Sequence, residues 1–193
     1  MLMTNENIRL FPHDRLLGAT VVKLIPQWVE PNHVTVLRFF LIPIILILIL
    51  NEEWRYALPL FLLTAFTDAL DGTLARLRNK ITMWGTIADP IADKLLIGLV
   101  AIILVSQFLS PAFAALIVAL ELLIVAGAAY RGRKGVHTSA NNWGKSKMFL
   151  QVVGVSCLLL APIIGQTMTV PAAGAALALA LPIGIVSFLT YSL

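Results

Sequence analysis

Residues 68–93 read D-A-L-D-G-T-L-A-R-L-R-N-K-I-T-M-W-G-T-I-A-D-P-I-A-D, and four aspartates stand in the middle of an otherwise apolar chain. Asp68 and Asp71 are spaced i,i+3, while Asp89 and Asp93 are spaced i,i+4. On a helix, either spacing sets its two carboxylates on one face. A single charged residue at membrane depth costs roughly 2.5–3.5 kcal/mol on insertion scales. Four like charges close together also repel one another, so the stretch calls for a positive partner.

The surrounding sequence supplies the membrane. The chain has 193 residues, of which 59% are hydrophobic and 12% charged. Soluble domains are about half apolar and about a quarter charged, so the composition is that of a polytopic membrane protein and excludes an ordinary soluble enzyme. Six apolar spans are expected, at about 34–50, 56–77, 84–108, 113–130, 147–164 and 170–191. Each is close to the ~20 residues that a bilayer requires. Pro182 marks a kink in the sixth. Residues 14–30, too interrupted to span, combine Arg15 and Lys23 with a Leu/Val/Ile/Trp face and predict an amphipathic helix lying at the interface. Pro31-Asn32 ends that helix, with Asn32 as the N-cap of the first span. The expected fold is therefore an all-α integral membrane bundle of six transmembrane helices preceded by an interfacial helix. Residues 1–193 are expected to form a single domain, since no polar linker separates two. The single cysteine, Cys157, lies in an apolar run and is read as a small buried hydrophobe. The opening M-L-M-T-N-E-N-I-R-L contains no early apolar stretch, so no cleavable signal peptide is expected.

Six spans put both termini on one side. Loops on that side carry Arg9, Arg15, Lys23, Arg76, Arg78, Lys80, Arg131, Arg133, Lys134 and Lys145, and the opposite side carries Arg55 alone. The positive-inside rule then predicts cytoplasmic termini and a cytoplasmic aspartate hairpin. Asp68 and Asp71 come just before the cytoplasmic loop, and Asp89 and Asp93 just after it. An antiparallel hairpin brings all four to similar depth, a turn or two below the surface, in a pocket open to water.

Four carboxylates without His or Cys suit hard divalent cations, Mg²⁺ or Mn²⁺, and argue against zinc. Their total charge balances two such ions, and two-metal sites serve displacement at phosphorus. Gly72 stands i+4 from Asp68, and Gly85 stands i−4 from Asp89. Both glycines share the carboxylate faces and leave room for a bulky ligand. Ala75 continues the Asp71 stripe, and Arg76 follows at the membrane surface, where a guanidinium meets phosphate well. Glycines of this kind also serve helix packing, and Arg78 and Lys80 also serve as topology signals.

The pattern D-x2-D-G-x2-A-R-x8-G-x3-D-x3-D resembles the signature of the CDP-alcohol phosphotransferase (phosphatidyltransferase) family. It matches at Asp68, Asp71, Gly72, Ala75, Arg76, Gly85, Asp89 and Asp93. The upstream P-N-H-V-T-V-L-R is similar to the family's entry to its first span, with Pro31, Asn32, Thr35 and Arg38 at matching places. The resemblance covers about residues 31–151. It implies transfer of a phosphatidyl group from CDP-diacylglycerol to an alcohol, with release of CMP. It further implies that Asp68, Asp71, Asp89 and Asp93 bind metal and that Asp93 acts as general base. Gly72, Ala75, Arg76, Gly85, Asn32 and Thr35 would line the CDP site. A homodimer in the inner membrane is implied as well, and no nucleic-acid partner is expected.

For the acceptor, Arg38, Glu121, Arg131, Lys145 and Lys147 are the candidates. Residues 141–151, N-N-W-G-K-S-K-M-F-L-Q, are similar to the G-K-x-K-T-x-x-Q stretch of bacterial phosphatidylglycerophosphate synthases, which use glycerol 3-phosphate. The chain departs from that pattern at Met148, where Thr is usual, and in the fourth span, where Leu120 and Ala128 replace two arginines around Glu121. Phosphatidylglycerol, as in cardiolipin synthases, and inositol phosphate are the other acceptors weighed. Two further readings are an intramembrane prenyltransferase, which would release pyrophosphate, and a cation carrier. The first lacks the Gly-x-x-Ala-Arg segment. The second would need acidic residues across the bundle, and only Glu121 continues such a path.

Overall fold

The computed structural model describes residues 31–77, 83–133 and 142–190, with side chains for 33–67, 91–127 and 143–190. The predicted interfacial helix at 14–30, and Arg78, Lys80 and Lys134, lie outside the described residues. The described residues form six helices: α1 (Pro31–Leu50), α2 (Trp54–Leu77), α3 (Met83–Phe108), α4 (Pro111–Arg133), α5 (Asn142–Ile164) and α6 (Gln166–Thr190). Four segments are long and apolar enough to cross a membrane: His33–Leu50, Ile91–Phe108, Trp143–Ile164 and Gln166–Thr190. The apolar stretch of α4, Pro111–Gly127, is shorter, and α2 carries Asp68, Asp71 and Arg76 in its C-terminal half. Large apolar side chains such as Leu37, Phe40, Ile47, Leu63, Leu122 and Met168 are exposed. Helices that are apolar all round belong in lipid, where their internal hydrogen bonds satisfy the backbone. The fold divides into two compact units, Met1–Leu96 and Ile97–Leu193, with the boundary inside α3.

In the first unit α1 packs on α2. On α1 the buried residues are Thr35, Arg38, Ile42, Ile45 and Ile49, a stripe spaced alternately three and four. Ala57, Phe61 and Thr64 form the matching stripe on α2. The turn between them is a Schellman-type cap. The Glu53 N–H reaches the Leu48 carbonyl at 2.8 Å, and the Glu52 N–H reaches that of Ile49 at 3.1 Å. Glu52 holds φ 60° there, in the left-handed position usually given to glycine.

The expected N-cap at Asn32 is not what forms. The helix starts at Pro31 and Asn32 lies inside it. Proline suits the first helical position because its φ is already helical and that position needs no N–H.

In the second unit α6 packs on α5 and, over a smaller area, on α4. Ser110 caps α4, its Oγ accepting from the Phe113 N–H at 3.0 Å, and Pro111 takes the first helical position. Gly165 alone separates α5 from α6, with φ 118° and its N–H on the Ala161 carbonyl at 3.0 Å. The buried face of α6 is made of small residues: Thr169, Ala173, Ala176, Ala180, Gly184 and Ser187, with Leu177. Within residues 172–176, a run of alanine and glycine, Ala173 and Ala176 turn inward and suit close helix packing. Pro182 falls within α6 together with Pro171.

Two boundaries correct the expected span limits. α4 continues to Arg133, and α5 begins at Asn142, five residues before the span expected from 147. Hydropathy locates the lipid-crossing section, whereas helical hydrogen bonding continues into the polar interface. Trp143, exposed near the start of α5, suits that zone.

Candidate functional site

The motif falls on the two helices flanking residues 78–82. Asp68, Asp71, Gly72, Ala75 and Arg76 lie in α2, and Gly85, Asp89 and Asp93 lie in α3. Counted along each helix, Asp71 is six residues before Leu77 and Asp89 six after Met83. Asp68 is nine and Asp93 ten from the same two ends. At ~1.5 Å per residue these are axial depths of about 9 Å and about 14–15 Å.

The register carries a second regularity. The α2 stripe of Ala57, Phe61 and Thr64, continued with the same spacing, reaches positions 68, 71 and 75. On α3 the buried Ala92 and Leu96, continued backwards, reach 89 and 85. Positions 68, 71 and 75 on α2 and 89 and 85 on α3 therefore continue the register of each helix's buried stripe, whereas 72, 76 and 93 fall beside it. Asp93 is half-buried and not free. Among the described residues no group of three or more His, Cys, Asp or Glu converges on one point. The side chains of Asp68, Asp71, Gly72, Ala75, Arg76, Gly85 and Asp89 lie outside them, as do those of Asn32 and Arg131.

Three residues, 51–53, join α1 to α2. Equal rise along this hairpin sets Thr35 and Arg38 level with the section of α2 between Thr64 and Asp71. Thr35 is 1% and Arg38 0% exposed, and Arg38 is the largest fully buried side chain. Its Nε makes no hydrogen bond, while the residue is engaged through other contacts. A guanidinium wholly withdrawn from solvent is thus held level with the part of α2 in which Asp68 stands.

Two acceptor candidates do meet. The Lys147 Nζ on α5 donates to Glu121 Oε1 on α4 at 2.5 Å, and Gln151 Nε2 donates to the same oxygen at 2.8 Å. Lys147 and Gln151 are i,i+4 on one face of α5. The lysine stem crosses Gly184 of α6, where an added Cβ would stand 3.1 Å from Lys147 Cδ and 3.2 Å from Leu120 Cδ2. Sequence reasoning named Glu121 and Lys147 separately, included Gln151 only as the last residue of the 141–151 stretch without a role, and missed Gly184. The i,i+4 spacing was the available signal for Gln151; Gly184 gave none. Lys145, two residues from Lys147, is exposed on another face of α5. Arg131 lies in the last turn of α4.

Residues 28–186 match the CDP-alcohol phosphatidyltransferase family along most of the chain. The chain belongs to that family. Among its relatives is the CDP-diacylglycerol--glycerol-3-phosphate 3-phosphatidyltransferase of Bacillus subtilis, 34% identical over 173 residues, covering 81% of this chain and 90% of that protein. The enzyme of the same name from Rickettsia typhi is 36% identical over 134 residues, 67% of this chain and 75% of the other. A cardiolipin synthase (CMP-forming) of Rattus norvegicus is 35% identical over 105 residues, 53% of this chain and 35% of that longer protein. With the family settled, the chain is a transferase and a membrane protein, and the eight motif positions acquire a common chemical context.

Proposed function

We propose that this member of the family transfers the phosphatidyl group of CDP-diacylglycerol to glycerol 3-phosphate and releases CMP. The observation that carries this reading is the similarity to glycerol-3-phosphate phosphatidyltransferases, which extends over 90% of the Bacillus protein rather than over the motif alone. The donor set fits a divalent cation, since α2 and α3 offer only carboxylate oxygens at the motif positions. Asp68, Asp71, Asp89 and Asp93 would hold Mg²⁺ or Mn²⁺, two ions by charge balance, which supply positive charge to the diphosphate and to the departing CMP.

The roles of the chain's own residues in this reading are those the family resemblance implies. Gly72, Ala75 and Gly85 leave the helix faces open for the cytidine diphosphate, and Arg76 adds a bidentate phosphate donor. Asn32 and Thr35, at the start of α1, complete that side. The acceptor hydroxyl oxygen bonds to the phosphorus bearing diacylglycerol, while the bond from that phosphorus to the oxygen of CMP breaks. Asp93 takes the hydroxyl proton. A free aspartate with a pKa near about 4 is a weak base for an alcohol, so orientation by the helices supplies much of the effect. Arg38, Arg131 and Lys145 supply positive charge for an anionic acceptor. The excess of basic residues on one side supports cytoplasmic termini and a cytoplasmic site in the inner membrane. A homodimer belongs to this reading on family resemblance alone.

The similarity to a cardiolipin synthase supports phosphatidylglycerol as the second acceptor to test. The assay is CMP release from CDP-diacylglycerol in mixed micelles with Mg²⁺ or Mn²⁺, against glycerol 3-phosphate, phosphatidylglycerol and inositol phosphate. Turnover with glycerol 3-phosphate is expected. Turnover only with another member of the panel would move the acceptor assignment, and release of no CMP with any acceptor would end the reading.

A further inference from the structure

Glu121 stands in a helix poorly able to carry a charge. Four segments are long and apolar enough to cross a membrane, and α4 contributes none of them. Its apolar stretch, Pro111–Gly127, falls short of the ~20 residues that a bilayer requires. Glu121 lies ten residues from Pro111 and six from Gly127. At ~1.5 Å per residue these are axial distances of about 15 and 9 Å, beyond the reach of a glutamate side chain. On insertion scales one charged residue near a helix centre offsets roughly five to ten Leu, Ile, Val or Phe residues, and Pro111–Gly127 contains nine of these. By itself α4 is close to balance between membrane and water.

Apolar packing does not tip that balance. From Pro111 to Gly127 only Ala114 and Ile117 are buried, and lipid tails suit leucine as well as another helix does. What α4 gains from its neighbours is a polar clasp. Lys147 Nζ and Gln151 Nε2, both on α5, donate to Glu121 Oε1 at 2.5 and 2.8 Å. The side chains of Lys147 and Glu121 are only 11% and 19% exposed, so these bonds replace water rather than compete with it. Gly184 of α6 leaves the space in which the lysine stem meets Leu120. The α5–α6 pair needs no such help. Trp143–Ile164 and Gln166–Thr190 are both apolar enough to span, and Lys147 is five residues past Asn142, where a long side chain reaches the interface.

We infer that α4 is a conditional span: it crosses the membrane only while Lys147 and Gln151 of the following α5–α6 pair hold Glu121. The side reached by residues 134–141, which join α4 to α5, is then set by a bond between helices and not by hydropathy alone. The inference is independent of the transfer reaction and of its acceptor. A lysine acting only as a positive-inside signal would fix the same side without Glu121, and the two roles are separable.

The test reads the sidedness of Gln107 and Ser139, which flank α4 in the sequence. Gln107→Cys and Ser139→Cys are made separately in the full chain carrying Cys157→Ala. Each is labelled with a membrane-impermeant maleimide in right-side-out vesicles, before and after permeabilisation. With the clasp intact the two cysteines are expected on opposite sides, with less than about a tenth of Ser139→Cys on the Gln107 side. Lys147→Met should bring about a quarter to three-quarters of Ser139→Cys to the Gln107 side, as for a segment near balance. Adding Glu121→Leu should restore the original sidedness, because α4 then inserts unaided, and Glu121→Leu alone should leave it unchanged. The inference is overturned if the two cysteines share a side while the clasp is intact, or if Lys147→Met moves nothing. It is equally overturned by a shift that Glu121→Leu does not correct, which would make Lys147 a topology signal. Labelling of Gln107→Cys measures the amount of inserted chain in each variant. Should Lys147→Met fail to accumulate, recovery of the amount by Glu121→Leu is the expected result, and no recovery overturns the inference.

Discussion

Lys147→Met is the perturbation whose cost the structure allows to be worked out. Methionine keeps most of the stem that lies against Gly184 and deletes the ammonium 2.5 Å from Glu121 Oε1. The carboxylate is then left with the Gln151 amide at 2.8 Å as its described donor. Removing one partner of a fully buried ion pair costs about 3–5 kcal/mol. Residual exposure of 11% and 19% and the surviving amide bond lower the expected loss; we take about 2–3 kcal/mol. Neutral interhelical hydrogen bonds in membrane bundles average about 0.6 kcal/mol, so the pair should stand clearly above that level. Glu121→Gln should cost a similar amount, because it strands the ammonium. The double variant should recover part of the loss, giving a coupling energy of about 1.5 kcal/mol or more. The assay is unfolding of the full chain in micelles of rising SDS fraction, followed by far-ultraviolet circular dichroism. If the two single losses add to within about 0.5 kcal/mol, the pair contributes no mutual stabilisation and the reasoning fails.

Gly165→Ala should destabilise the chain by about 1–3 kcal/mol in the same unfolding assay, since φ 118° is strained for any residue with a Cβ even though open space surrounds the position. Gly154→Ala should cost about 1–3 kcal/mol by overpacking, its Cβ falling 2.6 Å from Leu177 Cγ and 3.3 Å from the Ala173 carbonyl. Gly98→Ala, with nothing within 4 Å, serves as its control and should be neutral or slightly stabilising through helix propensity. Asp93→Asn should lower kcat for CMP release by about 10²–10⁴-fold with the fold intact, as for loss of a general base; full activity on every acceptor would remove that role. Chelation with EDTA should abolish CMP release, and added Mg²⁺ or Mn²⁺ should restore it.

The parts of this fold read best from sequence are those that repeat a physical requirement over many residues. An apolar run near 20 residues locates a helix centre whatever its neighbours do, which is why each of the six described helices overlaps an expected apolar range, four of them long and apolar enough to cross a membrane. Their ends were less legible. Residues 142–146 carry Trp143, Gly144, Lys145 and Ser146, and polarity made them resemble a loop; helical hydrogen bonding does not need apolar side chains and continues through them. Asn32 was misread for a related reason, since Pro31 and Asn32 both favour helix starts and only one can occupy the first position. The clasp was half-legible. Spacing shows that Lys147 and Gln151 share a face, but not that Glu121, on another helix, completes it. Nothing in a sequence distinguishes Gly184 from the other glycines of an apolar helix.

The aspartates illustrate how the same rule serves packing and chemistry. A helix that packs along one stripe repeats that stripe every three or four residues until its sequence changes. On α2 the stripe changes from Ala57, Phe61 and Thr64 to the positions of Asp68, Asp71 and Ala75 without a change of spacing. On α3 it passes in the other direction, from Leu96 and Ala92 to Asp89 and Gly85. The spacing of each stripe continues unchanged while the residue type in the sequence passes from apolar to acidic. The i,i+3 spacing of Asp68 and Asp71 is one step of the α2 stripe, whereas Asp93, i+4 from Asp89, falls beside the stripe position held by Ala92. The apolar end of each stripe is buried, and the end toward residues 78–82 carries the charged residues of the motif.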